Sequence, residues 1–123
     1  MPLEPAWDRY FDMALVRQLH CLTVRDNGVL VGYLFVVVCP HLHYASTLWA
    51  QTDLFWLDPA YRSGFTGVRM FKEMEKKLRE FKVKVVYINA KLHFESDRGT
   101  IGKIFERLGY KAVEIAYSKY LGD

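Results

Sequence analysis

Three stretches of the chain carry apolar residues three and four positions apart, which is the period of an amphipathic α-helix. The first opens the chain, with apolar positions at Trp7, Tyr10, Phe11, Ala14 and Leu15. The second runs from about Thr66 to Phe81, with lysines and glutamates on one face and a stripe of Phe71, Met74, Leu78 and Phe81 on the other. The third runs from Thr100 to Leu108 and is followed by Gly109, a residue type that commonly ends helices.

The remaining apolar runs are typical of strands. Asn27-Gly28, a strong signal for a two-residue hairpin turn, separates strands predicted over Leu19–Arg25 and Val29–Cys39. Further strands are predicted over Ser46–Leu57, over residues 83–90 and over Tyr110–Leu121. Because a helix joins the strand ending at Leu57 to the next one, these two strands should be parallel. The pattern predicts a single α+β domain over residues 1–123, built around a mixed sheet.

Composition and charge narrow the class of protein. A chain of 123 residues with 51% hydrophobic and 25% charged residues can form one compact core. Its net charge of +3 suits an anionic small ligand but lacks the dense basic stripe of a nucleic-acid binder, so we expect no nucleic-acid partner. The longest apolar run is too short for a bilayer, and no secretory leader precedes Cys21 and Cys39. We therefore expect a cytoplasmic protein with reduced thiols and no membrane partner.

The segment "LDPAYRSGFTG", residues 57–67, joins a predicted strand to a predicted helix. Gly64 and Gly67 allow positive φ and close approach of another group to the backbone. The first amides of a helix have no internal partners and lie at the positive end of the helix dipole. Arg62 adds a full charge, and Ser63 and Thr66 add hydroxyl donors. The segment is either an anion-binding site or an ordinary tight turn with a helix cap.

The surrounding residues resemble a known family. "DLFWLDPAYRSGFTGVRMFKEMEKKLREFKVKVVYI" is similar to the central motif of the GNAT superfamily of N-acetyltransferases, and "IFERLGYKAVE" resembles the family's closing helix and strand. The resemblance covers roughly residues 19–121. It implies a GNAT-like mixed, mostly antiparallel sheet with a central parallel β-α-β unit flanked by helices. The family's first strand and part of its acceptor-binding region are expected to be missing.

The same resemblance implies acetyl-coenzyme A as co-substrate and an amine as acceptor, either a small molecule or a peptide or protein amine. The pyrophosphate would bind the turn, and the pantetheine arm would lie along the preceding strand. The implied cofactor-binding residues are Phe55, Trp56, Leu57, Arg62, Ser63, Gly64, Phe65, Thr66, Gly67 and Val68. A coenzyme A-binding module of this fold that is weak or inactive in catalysis is the alternative.

The acid and base of such a reaction are not both at the family's usual positions. The tyrosine with which the family often protonates the leaving thiolate is matched by Phe105, and an asparagine of the family's motif is matched by Arg98. Tyr110, Tyr117 or water could substitute, since a thiolate is only modestly basic. Asp53, where the family often places its general base, and Glu95 are the candidates to take the proton of the attacking ammonium group.

Two further expectations concern a metal and assembly. Cys39, His41 and His43 are residue types that bind zinc, but Pro40 interrupts their spacing and no fourth ligand lies nearby, so we expect no metal. A sheet that lacks its first strand would expose the hairpin of residues 19–39. The opening helix could cover that edge or dock on a second copy, and a homodimer is the favoured outcome.

Overall fold

The computed structural model describes residues 2–90 and 98–122, which fall into two compact units, Met1–Asn89 and Ala90–Asp123. The first unit contains helix α1 (Trp7–Leu15), strands β1 (Leu19–Asp26), β2 (Val29–His41) and β3 (Tyr44–Leu57), a 3₁₀ turn (Pro59–Tyr61), helix α2 (Thr66–Glu80) and strand β4 (Val83–Tyr87). The second unit contains helix α3 (Arg98–Arg107). Among the helices of these described residues, none is long and apolar enough to span a bilayer.

The four strands form one mixed sheet in the order β1-β2-β3-β4. The β1–β2 and β2–β3 pairs are antiparallel, and β3–β4 is parallel, as expected for strands joined by a helix. Asn27 and Gly28 have φ values of 49° and 82°, as a type I′ hairpin turn requires. The second hairpin is tighter than predicted, because β2 continues through Pro40, which pairs opposite Leu48. The predicted α+β class with a mixed sheet is confirmed.

One face of the sheet packs against α2 and forms the core. Alternate residues of β2 on this face are buried, namely Leu34, Val36 and Val38. The facing stripe of α2 is buried as well and consists of Met70, Phe71, Met74 and Leu78. Phe55 of β3 lies opposite Leu34 and contacts Phe71, with ring centroids 5.0 Å apart. Each fully buried side chain of this size stabilises the fold by about 1.5–3 kcal/mol.

Helix α1 lies on the opposite face of the sheet. Successive strand residues point to opposite faces, so Phe35 is on the other side from Leu34. Tyr10 of α1 contacts Phe35, with ring centroids 6.3 Å apart. Trp7 and Phe11 are 61% and 67% exposed, so much of the apolar stripe of α1 is turned away from the sheet. That this helix or the 19–39 hairpin joins two copies stays a prediction.

In the second unit, α3 ends with the glycine that the sequence indicated. Gly109 has a φ of 87°, and its amide donates to the carbonyl of Glu106 at 3.0 Å. The amide of Tyr110 donates to the carbonyl of Phe105 at 2.9 Å, and the two rings lie in contact with centroids 6.2 Å apart. These two bonds and the ring contact make up a Schellman motif, which satisfies carbonyls that the helix leaves unpaired.

The strand predicted over Tyr110–Leu121 was wrong for the described residues. The structure assigns no strand between residues 110 and 122, and Val113, Ile115 and Tyr117 are exposed. A strand forms only where a second strand takes its backbone hydrogen bonds. Helix α3 is the only described helix or strand in the same unit, so the segment has no described strand there with which to pair. The alternation of apolar residues was therefore not sufficient to make a strand there.

Candidate active site

The turn between β3 and α2 is tied to the end of the first hairpin. The amide of Asp58 donates to the carbonyl of Val31 at 2.8 Å, and its Oδ1 accepts from the amide of Ala60 at 2.9 Å. Through this second bond the side chain of Asp58 caps the turn. Tyr61 donates a short hydrogen bond to the carboxylate of Asp26, and that bond raises the pKa of Tyr61. These bonds hold the turn in a defined position against the sheet.

The N-terminus of α2 presents amide groups that no side chain caps. Phe65 occupies the N-cap position without a side-chain hydrogen bond, and the first turn of the helix has no acidic residue. The amide of Arg69 donates to the carbonyl of Phe65 at 2.9 Å, so the amides of residues 66–68 precede the regular helical bonds. Such amides, together with the positive end of the helix dipole, attract an anion.

Gly64 leaves open space just before this helix. A Cβ built on Gly64 would have no other atom within 4 Å, whereas a Cβ on Gly67 would lie 3.8 Å from a methyl group of Leu57, which is an ordinary contact. Neither glycine has a positive φ, so the turn does not require the left-handed backbone that glycine permits. What the structure shows at Gly64 is room for another group.

Arg62 is positioned by the end of β3. Its Nε donates to the carbonyl of Leu57 at 2.7 Å, and the side chain remains exposed. The guanidinium charge therefore lies beside the end of β3, where the turn begins. Because the amide of Asp58 bonds to Val31 on β2, the alternation of an antiparallel ladder turns the backbone groups of Trp56 toward β2 as well and those of Phe55 and Leu57 toward the open side. The Leu57 carbonyl already accepts from Arg62, so the amide and carbonyl of Phe55 and the amide of Leu57 are the better candidates for contacts with a ligand.

Strand β3 loses its parallel neighbour before it ends. It pairs with β2 as far as Leu57, which lies opposite Gly32, but its pairing with β4 stops at Gln51, which lies opposite Tyr87. Just beyond, the amide of Asn89 donates to the side-chain oxygen of Thr52 at 3.0 Å and not to a strand partner. Along the rest of β3 no described strand pairs on this side. The gap can accept an extended ligand that bonds to strand backbone.

The side chains of the predicted cofactor residues lie on both faces of the sheet and in the turn. Strand alternation puts Phe55 on the α2 face, whereas Trp56 lies on the α1 face with its ring 5.6 Å from that of Tyr33. Leu57 and Gly67 are buried, whereas Thr66 and Val68 are half-buried. The side chains of Ser63 and Phe65 are exposed in the turn. The residues form two stretches, 55–57 on β3 and 62–68 at the turn, which offer a ligand strand backbone at the first and helix amides with the Arg62 charge at the second.

Asp53 lies at a β-bulge, where the gap between β3 and β4 opens. Phe35 pairs opposite Leu54 and Val36 opposite Thr52, so the register between β2 and β3 skips Asp53. A bulge of this kind re-aims a side chain that regular alternation would send to the other face. The carboxylate of Asp53 consequently lies on the α1 face, where Tyr10 donates to its Oδ2 at 2.6 Å.

Tyr10 is the site residue that sequence reasoning missed. The hydrogen bond to Asp53 spans 43 positions, and no motif links an opening helix to a strand so far along the chain. The bond to a carboxylate is the largest cause that raises the pKa of Tyr10, followed by burial. Tyr10 therefore remains a proton donor at neutral pH and orients the candidate base. The signal in the sequence was its place in the apolar stripe of the opening helix.

The fold and this site can now be compared with known proteins. The profile of the Acetyltransferase (GNAT) family matches residues 2–110, which is most of the chain. The chain belongs to the GNAT family of acetyltransferases. Membership of the GNAT family implies acetyl transfer from acetyl-coenzyme A to an amine. No curated protein matches the sequence significantly.

Solved structures of acetyltransferases share this GNAT fold. A ribosomal-protein-alanine N-acetyltransferase from Brucella melitensis biovar Abortus 2308 has a TM-score of 0.68 at 21% identity, over 86% of this chain and 72% of that one. An acetyltransferase from Trypanosoma brucei has a TM-score of 0.72 at 18% identity, over 98% and 82% of the two chains. Glucosamine-6-phosphate N-acetyltransferase from Arabidopsis thaliana gives 0.71 at 12% identity, over 94% and 77%. At these identities the similarity shows the fold alone.

The other candidate acids and bases of this GNAT domain lie outside the first unit. Phe105, at the position of the family tyrosine, is half-buried on α3 against Tyr110. Tyr117 is 90% exposed on the segment that follows. Glu95 falls between residues 90 and 98 and lies outside the described residues. Tyr110 and Tyr117 remain predictions as general acids.

The histidines of the second hairpin pack against aromatic rings. His41 lies 5.1 Å from Tyr44 and 5.2 Å from Trp49 between ring centroids, and its Nδ1 accepts from the amide of His43 at 3.0 Å. Cys39 pairs across the strands with Trp49. Within residues 2–90 and 98–122, no group of three or more histidine, cysteine or acidic residues is placed to hold a metal ion.

Proposed function

We propose that this protein transfers the acetyl group of acetyl-coenzyme A to a primary amine by direct attack within a ternary complex. In this reaction the amine nitrogen forms a bond to the acetyl carbon, the bond from that carbon to sulfur breaks, and the amine loses a proton. The leaving thiolate gains a proton. GNAT membership supports the general reaction, and the roles of individual residues below are our proposal.

One observation carries the proposal: β3 parts from β4 at Gln51, and the gap has Asp53 at one end and the uncapped N-terminus of α2 near the other. A molecule with an anionic pyrophosphate and an extended amide-containing arm fits both features. The amides of residues 66–68, Arg62 and the space at Gly64 would hold the pyrophosphate. The backbone of residues 55–57 would bond to the arm, and strand amides there would polarise the thioester carbonyl.

Asp53 is proposed as the general base. Its carboxylate lies where the gap opens, so an amine directed at the thioester would pass close to it. Tyr10 holds this carboxylate in one orientation through the 2.6 Å hydrogen bond. For the proton that the thiolate takes up we propose Tyr110 or Tyr117, with water as the alternative. Of the acceptor we state only that it is an amine, either small or on a peptide or protein.

The direct test is release of coenzyme A thiol when the protein is mixed with acetyl-coenzyme A and a panel of amines. Acceptors of the similar structures, a ribosomal-protein alanine and glucosamine 6-phosphate, belong in that panel. We expect thiol release that depends on one class of amine. Tight coenzyme A binding without transfer to any amine would instead favour an inactive coenzyme A-binding module, which the phenylalanine at position 105 would fit.

Binding is tested separately by thermal unfolding. At a coenzyme A concentration about 100 times Kd, binding to the native state alone raises the free energy of unfolding by about 2.7 kcal/mol. An unfolding entropy of about 2.1 cal/mol/K per residue then gives a rise in Tm of about 10 °C for a chain of 123 residues. Gly64→Val should abolish the rise, because it fills the open space, and should leave the Tm of the ligand-free protein nearly unchanged.

Ala45→Val is the matched control, because Ala45 is exposed near the start of β3. At about 3.3 Å per residue, Ala45 lies roughly 40 Å along the strand from Leu57. This variant should keep the full rise in Tm. The same rise in the Gly64→Val protein would contradict a pyrophosphate site at this turn.

A further inference from the structure

The α1 face of the sheet carries a continuous cluster of aromatic rings, which we call the aromatic face and define as Tyr10, Tyr33, Phe35 and Trp56. Ring centroids are 6.3 Å apart for Tyr10 and Phe35, 5.7 Å for Tyr33 and Phe35, and 5.6 Å for Tyr33 and Trp56. Each of these side chains is only half-buried. The rings therefore present accessible apolar surface that the core of the first unit does not use.

The aromatic face is directly connected to Asp53. Tyr10 belongs to both, because its ring contacts Phe35 while its hydroxyl donates to the carboxylate of Asp53. Phe35 also pairs opposite Leu54, the residue after Asp53. A molecule with its amine at Asp53 would consequently rest its next atoms on these rings.

The cross-strand neighbours of the two central rings are uncharged. In the sheet, Tyr33 is flanked by Thr23 on β1 and Trp56 on β3, and Phe35 is flanked by Cys21 and Leu54. None of these four neighbours is charged, so a second cation or a phosphate on the acceptor would find no oppositely charged partner at these positions. Asp53 supplies the negative charge beside them, at the bulge.

From this arrangement we propose that the acceptor is an arylalkylamine, that is, a monoamine in which a short alkyl chain joins the amino group to an aromatic ring. The ammonium group would lie at Asp53, and its aromatic ring would pack edge-on or offset on the aromatic face, as aromatic rings prefer. The inference rests on the proposed function, because it concerns the acceptor of that same reaction. Polyamines, aminoglycosides and sugar phosphates carry charges that this face does not match.

The experiment compares 2-phenylethylamine with ethylamine, which has the same amino group without the ring. We expect KM for 2-phenylethylamine to be at least about tenfold lower, because each aromatic contact contributes a factor of several. Spermidine and glucosamine 6-phosphate should be poorer substrates than 2-phenylethylamine. Equal KM values for the two simple amines, or a preference for the charged acceptors, would overturn the proposal.

Variants of Tyr33 separate this role from a structural one. Tyr33→Leu should raise KM for 2-phenylethylamine about fivefold to tenfold with kcat within about twofold, while KM for ethylamine changes by less than about twofold. Tyr33→Phe keeps the ring and should retain the wild-type KM. Tyr44→Leu removes an exposed ring at the far hairpin and is the matched control. If Tyr33→Leu raised KM by the same factor for both amines, the aromatic face would not be the acceptor site.

A binding measurement distinguishes failure of this inference from failure of the proposed function. Calorimetric titration with 2-phenylethylamine and ethylamine requires no turnover. If no amine is acetylated but 2-phenylethylamine binds and Tyr33→Leu abolishes its binding, the proposed reaction fails while the site for an arylalkylamine stands. If amines are acetylated without any advantage from the ring, the reaction stands and the aromatic substituent is excluded.

Discussion

Among the glycines that the structure describes, Gly32 is the one at which an added Cβ would make the closest contacts. A Cβ on Gly32 would lie 3.0 Å from Leu57 Cδ1, 3.2 Å from the carbonyl oxygen of Trp56 and 3.4 Å from Met70 Cε. The carbonyl oxygen belongs to the backbone of β3, which cannot move without disturbing the β2–β3 pairing. A methyl group here therefore pushes on the strand end that precedes the candidate pyrophosphate turn.

The magnitude follows from two opposing effects. Overpacking of a well-packed site destabilises the fold by about 1–3 kcal/mol. Replacing glycine by alanine also lowers the conformational entropy of the unfolded chain, which stabilises the fold by about 0.5–1 kcal/mol. The net destabilisation of Gly32→Ala should be about 1–2 kcal/mol. With an unfolding entropy of about 2.1 cal/mol/K per residue over 123 residues, the Tm should fall by about 4–8 °C.

Thermal unfolding followed by circular dichroism measures this difference, with Gly64→Ala as the matched control. A Cβ on Gly64 meets no atom within 4 Å, and its φ is not positive, so Gly64→Ala should keep or slightly raise the Tm. Gly32→Ala should also bind coenzyme A less tightly, because the displaced Leu57 and Trp56 lead into the turn. Equal Tm values for the two variants would refute the reasoning from these contacts.

Two further predictions concern single polar groups. Tyr10→Phe removes the hydrogen bond that orients the carboxylate of Asp53, so kcat/KM should fall about tenfold with little change in KM for acetyl-coenzyme A. An unchanged kcat/KM would show that Tyr10 does not orient the base. Burial is the main cause that lowers the pKa of His20, whose Nε2 donates to the Arg17 carbonyl at 3.0 Å. The unfolded chain therefore protonates this histidine at a higher pH than the folded chain does. As the pH drops below about 6.5, the free energy of unfolding should fall, and it should level off below the folded pKa of His20. Urea unfolding at several pH values measures this dependence. His20→Gln should lose this dependence, and an identical pH profile in that variant would contradict the assignment.

Local features of the fold could be predicted from the sequence because each depends on a few neighbouring residues. Asn27-Gly28 makes its hairpin because two successive positive φ values suit those residue types. Gly109 ends α3 for the same conformational reason, and Asp58 caps its turn with its own carboxylate two residues before Ala60. The apolar stripe of α2 was visible as a period of three and four. The central motif that resembles the GNAT family, residues 53–88, is likewise one continuous stretch of chain, and it includes α2.

The candidate acceptor site depended on tertiary structure. The bulge that skips Asp53 is a property of the register between β2 and β3, and residues 53 and 54 look like any alternating pair when β3 is read alone. The contact between Tyr10 and Asp53 requires α1 to lie on one particular face of the sheet. Conversely, the alternating segment after Tyr110 predicted a strand that the described structure lacks. Backbone conformation is set by residues a few positions apart, whereas strand pairing and the facing of side chains need a distant partner, which only the folded chain supplies.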